Sequence, residues 1–267
     1  MDWSERGANP KMFNSFIDGS KSGIEMTAVC NATDGVLTPQ PGGLRFPPAS
    51  NYELSSLCKP EDRGGTLSHF GATEVSSLAP LPNPPLTSLP WRHRAQVVSN
   101  IRRDKSPIEH NLVIGTYVVV EAGHAYATKC IEEYGFLPDE NAEFAALYRP
   151  VHLIGMELGI SVASVGLRGE PTGVCTAFRS DVVAVAKRPL AAQEMLDGEG
   201  GFCCWGRQMA AAESVAMGAL PLGLAEDVRL VRDVAAGEVV RWEDVALEEG
   251  DGGVAMRREM EAAFEPC

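Results

Sequence analysis

The stretch from Tyr148 to Thr176, YRPVHLIGMELGISVASVGLRGEPTGVCT, constrains the fold of this chain more than any other part of the sequence. Between Leu153 and Leu167 the apolar residues are too dense for a helix that buries only one side. Three glycines in this segment would let a neighbouring backbone approach closely: Gly155, Gly159 and Gly166. The pattern therefore predicts a buried helix.

Three polar residues in this stretch have no packing reason to be there: His152, Glu157 and Arg168. An ionised Glu157 inside a buried helix would be strongly unfavourable without a compensating partner. That partner would be a cation, a metal ion or a substrate hydroxyl. The alternative is a structural ion pair or a glutamate at a helix end, and the sequence leaves both interpretations open.

Charge and composition exclude several classes of protein. A net charge of -13 argues against binding to nucleic acid or to an anionic membrane surface, because both partners need a basic face. No apolar run reaches the roughly 18 to 20 residues of a membrane span without charged or glycine breaks. The N-terminus has no signal-peptide core, so we expect a cytoplasmic protein with no membrane partner.

A helix is predicted from about Lys11 to Ala32, with its large apolar side chains toward the core. Asp18, Lys21 and Glu25 fall at positions i, i+3 and i+7, which would place them in one charged stripe. Such a stripe is commonly solvent-exposed, with a modest ion pair. Small residues beside it favour close packing over this face instead: Gly19, Ser20, Ser22 and Gly23.

The middle of the chain is mostly loop. Residues 34–90 are rich in Gly, Pro, Ser and Asn, and a loop-rich insertion covers about 80–111. Arg45 lies between two apolar residues, where it could bind an anion, although an exposed arginine with a packed stem is commoner. Leu112 to Glu121 reads as a buried strand, and Ala125 to Tyr134 as a short helix.

An internal repeat organises the C-terminal part. RPLAAQEML at Arg188–Leu196 recurs 44 residues later as RDVAAGEVV at Arg232–Val240. Each copy would place a turn between two short strands, which predicts a small all-β module with pseudo-twofold organisation over 178–248. Residues 249–267 are acidic and then helical, and form a tail helix.

Several nucleotide and hydrolase motifs are absent from the sequence. No GxGxxG or GxxxxGK[ST] follows a strand, so nothing in the chain would cradle a nucleotide phosphate. The GEGG sequence at 198–201 lies inside the repeat and is interpreted as a turn. Neither GxSxG nor HExxH is present, which argues against a serine hydrolase or a metalloprotease.

Several long motifs occur in a characteristic order: PKMFNSFIDGSKSGIEMTAVCNAT, GLRFPP, YRPVHLIGMELGISVASVGLRGEPTG, AKRPLAAQEMLDGEGGFCCWGRQMAAAESVAMGALPLGLA and VAAGEVVRWEDV. With them the chain resembles bacterial oxidoreductases often labelled homoserine-dehydrogenase-like, a group that includes 1-deoxy-D-xylulose 5-phosphate reductoisomerase-like enzymes. The resemblance covers most of residues 9–264 outside the insertion.

The resemblance implies an α+β fold with three parts. Family members have an N-terminal Rossmann domain for NADP(H), a catalytic domain with a mixed sheet and packed helices, and a C-terminal SAF domain of the β-clip type. Residues 1–177 would be the catalytic domain, 178–248 the SAF domain and 249–267 the tail helix. Because the chain begins where the Rossmann domain should have ended, we expect a truncated homologue. It would need a homo-oligomer or a separate Rossmann-domain partner to use NADP.

The family chemistry implies roles for three residues of the first helix. In the family a hydride passes from NADPH to a carbonyl of a small hydroxylated or phosphorylated substrate, which needs a cation or acid to polarise that carbonyl. Lys21 would be this cation or proton donor. Asp18 and Glu25 would position it and contact the substrate.

The remaining roles fall on the central stretch and on one loop arginine. Glu157 would bind a hydroxyl or a metal ion, Mg²⁺ or Mn²⁺, in members that rearrange the substrate skeleton first. His152 would be an acid/base group or a substrate contact, and Arg45 or Arg168 would clamp a phosphate or carboxylate. The rival hypothesis is a non-catalytic protein that binds a small molecule or forms an oligomer interface.

Overall fold

The structure is a computed structural model, and it describes residues 9–33, 35–40, 49–73, 107–110, 112, 116–151, 155–247 and 250–267. The chain divides into two compact units. Unit 1 contains the described residues of Met1–Leu44, Gly71–Val97 and Cys175–Cys267. Unit 2 contains those of Arg45–Phe70 and Val98–Val174.

The described residues form helices and short strands in chain order. The helices are α1 (Pro10–Asp18), α2 (Ser20–Ala32), α3 (Leu54–Leu57), α4 (Ala125–Glu133), α5 (Leu158–Ala163), α6 (Ala211–Ala216) and α7 (Gly252–Ala263). The strands are β1 (Thr38–Pro39), β2 (Ala72–Thr73), β3 (Thr116–Glu121), β4 (Leu137–Pro138), β5 (Phe144–Arg149), β6 (Ser180–Ala186), β7 (Met195–Asp197), β8 (Cys204–Ala210), β9 (Glu226–Leu230) and β10 (Val245–Ala246). The predicted α+β class is confirmed.

Small sheets, rather than one large sheet, connect these strands. Unit 1 contains the parallel pair β1–β2, the antiparallel pair β6–β8 and a three-stranded sheet in the order β10-β9-β7. Unit 2 contains one antiparallel sheet in the order β3-β5-β4. None of the helices built from the described residues is long and apolar enough to cross a membrane.

The predicted single helix from Lys11 to Ala32 is wrong in one respect, because the chain forms two helices that meet at Gly19. Gly19 has φ +83°, a left-handed conformation that glycine adopts without strain. The Asp18 carboxylate accepts a hydrogen bond of 2.9 Å from the Ser20 amide at the start of α2. The break removes the continuous stripe, because Asp18 now lies on a different helix from Lys21 and Glu25.

The small residues of α2 form its buried face, as the sequence predicted. Ser20, Gly23 and Cys30 are buried. The Gly206 amide on β8 donates a hydrogen bond of 2.7 Å to the Ser20 hydroxyl, and a Cβ on Gly23 would lie 3.6 Å from the Gly206 oxygen. The expected burial of large side chains was wrong, since Phe16 and Ile24 are exposed.

The internal repeat is visible as a pair of matching turns. Leu190 and Val234 exchange backbone hydrogen bonds of 2.9 and 3.0 Å, so the two copies meet at equivalent positions. In the first copy the Ala191 amide donates to the Glu194 carboxylate over 3.1 Å, and in the second the Ala235 amide donates to Glu238 over 3.0 Å. The two copies therefore meet through equivalent residues, and the pseudo-twofold organisation of the whole region stays a prediction.

The core of unit 1 gathers around these turns and the β6–β8 hairpin. Its buried side chains come from both copies of the repeat and from the strands between them: Val182, Ala184, Leu190, Leu196, Leu220, Leu230, Val234 and Val240. The predicted strand at 182–187 is observed as β6, and the predicted tail helix as α7. The assignment of 178–248 to an SAF domain stays a prediction.

Unit 2 is held by a buried ion pair beside its sheet. The Lys59 ammonium lies 2.8 Å from the Asp139 carboxylate, and Asp139 also accepts the amides of Glu143 and Phe144. Burial alone would raise the pKa of Asp139, but Lys59 and the two amides outweigh it and hold that pKa below its ordinary value.

Two elements of unit 2 were expected to be buried and are not. β3 covers Thr116–Glu121 of the predicted strand and exposes Val118 and Val120. α5 continues into a wider π-helical turn, Ser164–Arg168, and most of its apolar side chains face outward. The buried-helix prediction is wrong: of residues 155–168 only Ser164 is buried, and it donates a hydrogen bond of 2.9 Å to the Glu170 backbone oxygen in the same segment.

Candidate functional site

At the junction of α1 and α2, Asp18 forms a mostly buried ion pair with Lys187, three positions before Lys21. The Lys187 ammonium, at the end of β6, lies 2.7 Å from the Asp18 carboxylate, and both side chains are mostly buried. The same ammonium donates a hydrogen bond to the Gly201 oxygen. Asp18 is therefore tied to Lys187 at the start of α2.

Lys21 is the second residue of α2, and its contact with a described residue is with an aromatic ring. Its ammonium lies 4.3 Å from the centre of the Phe16 ring. Across the described part of the chain, it forms no ion pair or hydrogen bond with an acidic side chain. The first turn of α2 also contains no acidic residue, and the N-terminal end of a helix has a positive potential. Lys21 and this helix end would together favour an anionic or electron-rich ligand.

Glu25 is exposed on the next turn of α2. Because α1 ends at Asp18, Lys21 and Glu25 share a helix while Asp18 does not. The structure thus keeps Asp18 close to the start of α2 through the Ser20 amide, and assigns its charge to Lys187. The proposed positioning roles of Asp18 and Glu25 stay predictions.

Glu157 immediately precedes α5 and forms an ion pair with Arg149 at the end of β5. This arrangement matches the alternative that the sequence left open, a glutamate at a helix end in a structural ion pair. Arg168 ends the π-helical turn, where it donates a hydrogen bond of 3.0 Å to the Ser164 hydroxyl and lies 3.5 Å from the Glu170 carboxylate. Both side chains thus have partners within unit 2.

The predicted site residues fall in different parts of the structure. Asp18, Lys21 and Glu25 belong to unit 1, and Glu157 and Arg168 to unit 2. The two other predicted residues lie outside the described ones: Arg45 and His152. Among the described candidates, the structure brings together Asp18 and Lys21 at the start of α2, with Lys187 as a third member.

Sequence reasoning missed Lys187. It ends the strand segment VVAVAK, in which every earlier residue is apolar, so a signal of the kind applied to Glu157 was present. Two buried thiols follow in the neighbouring turn and strand. Burial raises the pKa of Cys203 to about 11 and that of Cys204 to about 12, so both remain protonated at neutral pH. Neither thiol is suited to nucleophilic chemistry.

The described residues do not fit an NADP dinucleotide. The glycine-rich turn at 198–201 lies between β7 and β8, rather than opening a helix after a parallel strand. Its neighbouring amides are already used, because Phe202 and Cys203 donate to the Asp197 carboxylate. The backbone oxygen of Lys11 would lie only 1.8 Å from a Cβ on Gly200, so this turn is packed against α1.

The described residues also do not fit a divalent metal ion. Within the ranges that the structure describes, no three His, Cys, Asp or Glu side chains group closely enough to hold one. Glu157, the predicted ligand, is paired with the Arg149 guanidinium, and that positive charge would oppose a bound cation. We therefore derive no chemical step through either group.

Comparison with known families identifies the chain's relatives. The model of a family described as "Oxidoreductase DRL, catalytic domain" matches residues 2–158, which is more than half of the 267 residues. The match includes α1, α2 and the sheet of unit 2. No curated protein matches the chain significantly. The chain belongs to the oxidoreductase family defined by the DRL catalytic domain.

Proposed function

We propose that the chain is the catalytic part of an NADP-dependent oxidoreductase that acts on a small hydroxylated or phosphorylated carbonyl compound. The nucleotide would be held by a domain outside the described residues, since those residues offer no cradle for it. The observation that carries the proposal is Lys21 at the N-terminal end of α2, which has no ion pair with any acidic side chain that the structure describes. It lies inside the region that matches an oxidoreductase catalytic domain.

Lys21 would act on the oxygen that gains negative charge. Reduction of a carbonyl places charge on that oxygen, and a fixed cation at the positive end of a helix stabilises it. The Asp18–Lys187 ion pair supports this role because it ties the start of α2 to the residue that follows β6. The π face of Phe16 holds the ammonium without supplying a full counter-charge.

A substrate-binding experiment tests this proposal without requiring turnover. Calorimetric titration of the full chain with 1-deoxy-D-xylulose 5-phosphate should show binding. Lys21→Ala should weaken that binding roughly 10- to 100-fold, because one charge-assisted hydrogen bond contributes about 1.5–3 kcal/mol. Lys21→Arg, which keeps the charge, should retain part of the affinity.

The matched control is Lys129→Ala, which removes an exposed lysine from a helix of unit 2. This variant should bind as the unaltered chain does. Equal binding by the Lys21→Ala variant, or no binding by the unaltered chain, would contradict the proposed role of Lys21. Oxidation of NADPH in the presence of the substrate would then be measured as a separate readout.

The ion pair between Glu157 and Arg149 favours a second candidate function, a non-catalytic domain that binds a small polyol or acid. In that case Glu157 has a structural role only. The two candidates differ in one result. The enzyme oxidises NADPH in a Lys21-dependent manner once a nucleotide-binding domain is supplied, whereas the binding protein shows ligand binding and no oxidation under any of these conditions.

A further inference from the structure

We infer that helix α7 opens and closes on the rest of unit 1, and that the Asp181 carboxylate changes its arginine partner when the helix moves. In the closed form, which the structure shows, Asp181 of β6 is paired with Arg257 of α7. In the open form Asp181 pairs with Arg207 of β8. This conformational switch goes beyond the proposed function and does not depend on it.

Two adjacent arginines attach α7 to the rest of unit 1. The Arg257 guanidinium donates hydrogen bonds of 3.0 and 2.6 Å to the two carboxylate oxygens of Asp181, and it lies 4.9 Å from the centre of the Phe178 ring. The Arg258 guanidinium lies 3.9 Å from the centre of the Trp242 ring. None of the 12 residues of α7 is buried. Charged side chains, rather than burial of apolar ones, therefore hold this helix in place.

The segment before α7 allows the helix to move away. Gly250 has φ +92°, and no described atom lies within 4 Å of a Cβ built on Gly250 or Gly252. After the helix, the chain is attached by a backbone hydrogen bond of 3.0 Å from the Cys267 amide to the Phe178 oxygen. A segment with so few buried contacts opens at a lower free energy than the core of a domain.

Asp181 needs a cation when Arg257 leaves it. The Asp181 side chain is only 7% exposed. Besides Arg257, it accepts hydrogen bonds from the Val182 amide and from the Ser214 hydroxyl of α6, at 2.9 and 2.7 Å. Both of these donors are neutral, and a largely buried carboxylate without a cation is strongly unfavourable. A second cation that replaces Arg257 would therefore lower the free energy of opening.

Arg207 lies where it can be that cation. In the antiparallel β6–β8 pair, Val183 lies opposite Arg207, and Asp181 lies two positions before Val183 on the same strand face. Gln208, the next residue of β8, points to the other face and hydrogen-bonds to the Cys30 thiol of α2. Diagonal neighbours on one face of a sheet are about 7–8 Å apart, which a long side chain can span.

Arg207 has no ion pair of its own in the closed form. Over the described ranges, its guanidinium forms no hydrogen bond with an acidic side chain, and Glu213 of α6 acts on it electrostatically without pairing. The Arg207 side chain is half-buried, and this burial lowers the pKa of Arg207 below its ordinary value. A partly dehydrated guanidinium gains strongly from a carboxylate partner, so pairing with Asp181 would stabilise the open form.

Hydrogen exchange of the α7 amides in the full chain tests the inference. Arg257→Met removes the closed pair and should raise the exchange rates of these amides at least about tenfold. Arg207→Met removes the replacement partner and should slow the same exchange about three- to tenfold, because opening then leaves Asp181 without a cation. Arg207→Lys, which keeps the charge, should slow the exchange less. An arginine with a purely local structural role would not slow the exchange of a separate helix.

Two controls accompany these variants, and protection of the β6 amides reports whether each variant is folded. Arg229→Met removes an exposed arginine of β9 and should change α7 exchange by less than about twofold. In an Asp181→Asn background, Arg207→Met should no longer slow α7 exchange, because the shared carboxylate is gone. Unchanged or faster α7 exchange in Arg207→Met would overturn the inference. Equal slowing with and without the Asp181 carboxylate would also overturn it.

Discussion

Two helices of this chain, α2 and α5, carry the same sequence signature and have opposite surroundings. Each has a stripe of small residues at helical spacing. In α2 the stripe is buried, and Gly206 of β8 reaches the Ser20 hydroxyl at 2.7 Å. In α5 the stripe around Gly159 has no described atom within contact distance. A small-residue stripe therefore predicts close helix packing, but the sequence alone does not say whether the partner is in the same chain.

The difference also separates two kinds of role. α2 is fixed against β6 and β8 through its buried face, so Lys21 is presented from a rigid support. The π-helical continuation of α5 is held by the hydrogen bond from Ser164 to the Glu170 oxygen, and the neighbouring Glu157 is paired with Arg149. We therefore place the proposed chemistry at the start of α2.

The largest expected effect comes from a larger side chain in the buried stripe of small residues on α2. Gly23→Leu would drive a branched side chain into β8, where a Cβ alone already lies 3.6 Å from the Gly206 oxygen. We expect a loss of about 3 kcal/mol in the free energy of unfolding, because a packed layer cannot accommodate three added carbons beyond Cβ without shifting. Chemical denaturation followed by circular dichroism measures this change.

The same glycine-to-leucine substitution in the exposed stripe of small residues on α5 is the matched control. At a concentration where the chain is monomeric, Gly159→Leu should raise the free energy of unfolding by about 0.7 kcal/mol, since leucine favours a helix over glycine and meets no neighbour. If both variants lose similar free energy, α5 is covered within the single chain and the distinction between the two stripes is wrong.

A smaller effect is expected from the buried ion pair of unit 2. Lys59→Met should lower the free energy of unfolding by about 2 kcal/mol at pH 7, because it leaves Asp139 charged and without its cation. The Lys59 side chain retains some exposure, so the expected loss of unfolding free energy is smaller than for a fully buried pair.

The pH dependence of this variant follows from the lowered pKa of Asp139. A group whose pKa is lower in the folded state stabilises the protein above its unfolded pKa of about 3.9. That contribution is lost as the pH falls through the folded pKa. The difference between the unaltered chain and the Lys59→Met variant should therefore shrink below about pH 4. A difference that stays constant down to pH 2 would show that Asp139 is not the titrating group.

The smallest effects distinguish the two copies of the repeat. Glu194 accepts the Ala191 amide and pairs with Arg188, while the equivalent Arg232 pairs instead with Glu243 and Asp244. Glu194→Gln should therefore cost about 1 kcal/mol in unfolding free energy, through weakening of the ion pair.

The equivalent variant in the second copy, Glu238→Gln, keeps an oxygen that can accept the Ala235 amide. It should change the free energy of unfolding by less than about 0.5 kcal/mol. Thermal unfolding of both variants in parallel provides the measurement. Equal losses would mean that the arginine pairing does not distinguish the copies.

Local patterns in the sequence predicted local structure well. The 44-residue repeat predicted the matched turns at Leu190 and Val234, and the small residues of α2 predicted its close packing. Both predictions depend on a pattern within a short segment, although the element that packs on α2 lies far away in the sequence. The break at Gly19 was missed, because a glycine within helical periodicity also occurs in continuous helices.

Long-range pairing was harder to predict. Lys187 reaches Asp18 across 169 positions of sequence, so no spacing rule links them. The burial of α5 was inferred from hydrophobicity, which shows that a face needs a cover but does not identify the cover. The same limit applies to Glu157, whose need for a partner was recognised while Arg149, eight positions earlier in β5, was not.

Hydrogen exchange at two protein concentrations tests the contrast between α2 and α5 most directly. We predict that the amides of Ser20–Ala32 are protected equally at about 1 and about 100 µM, because their cover belongs to the same chain. The amides of 158–168 should exchange more rapidly than those of α2, because the apolar side chains of this segment are exposed. Equal protection of the two segments would contradict the account, as would protection of α2 that appears only when the chain is concentrated.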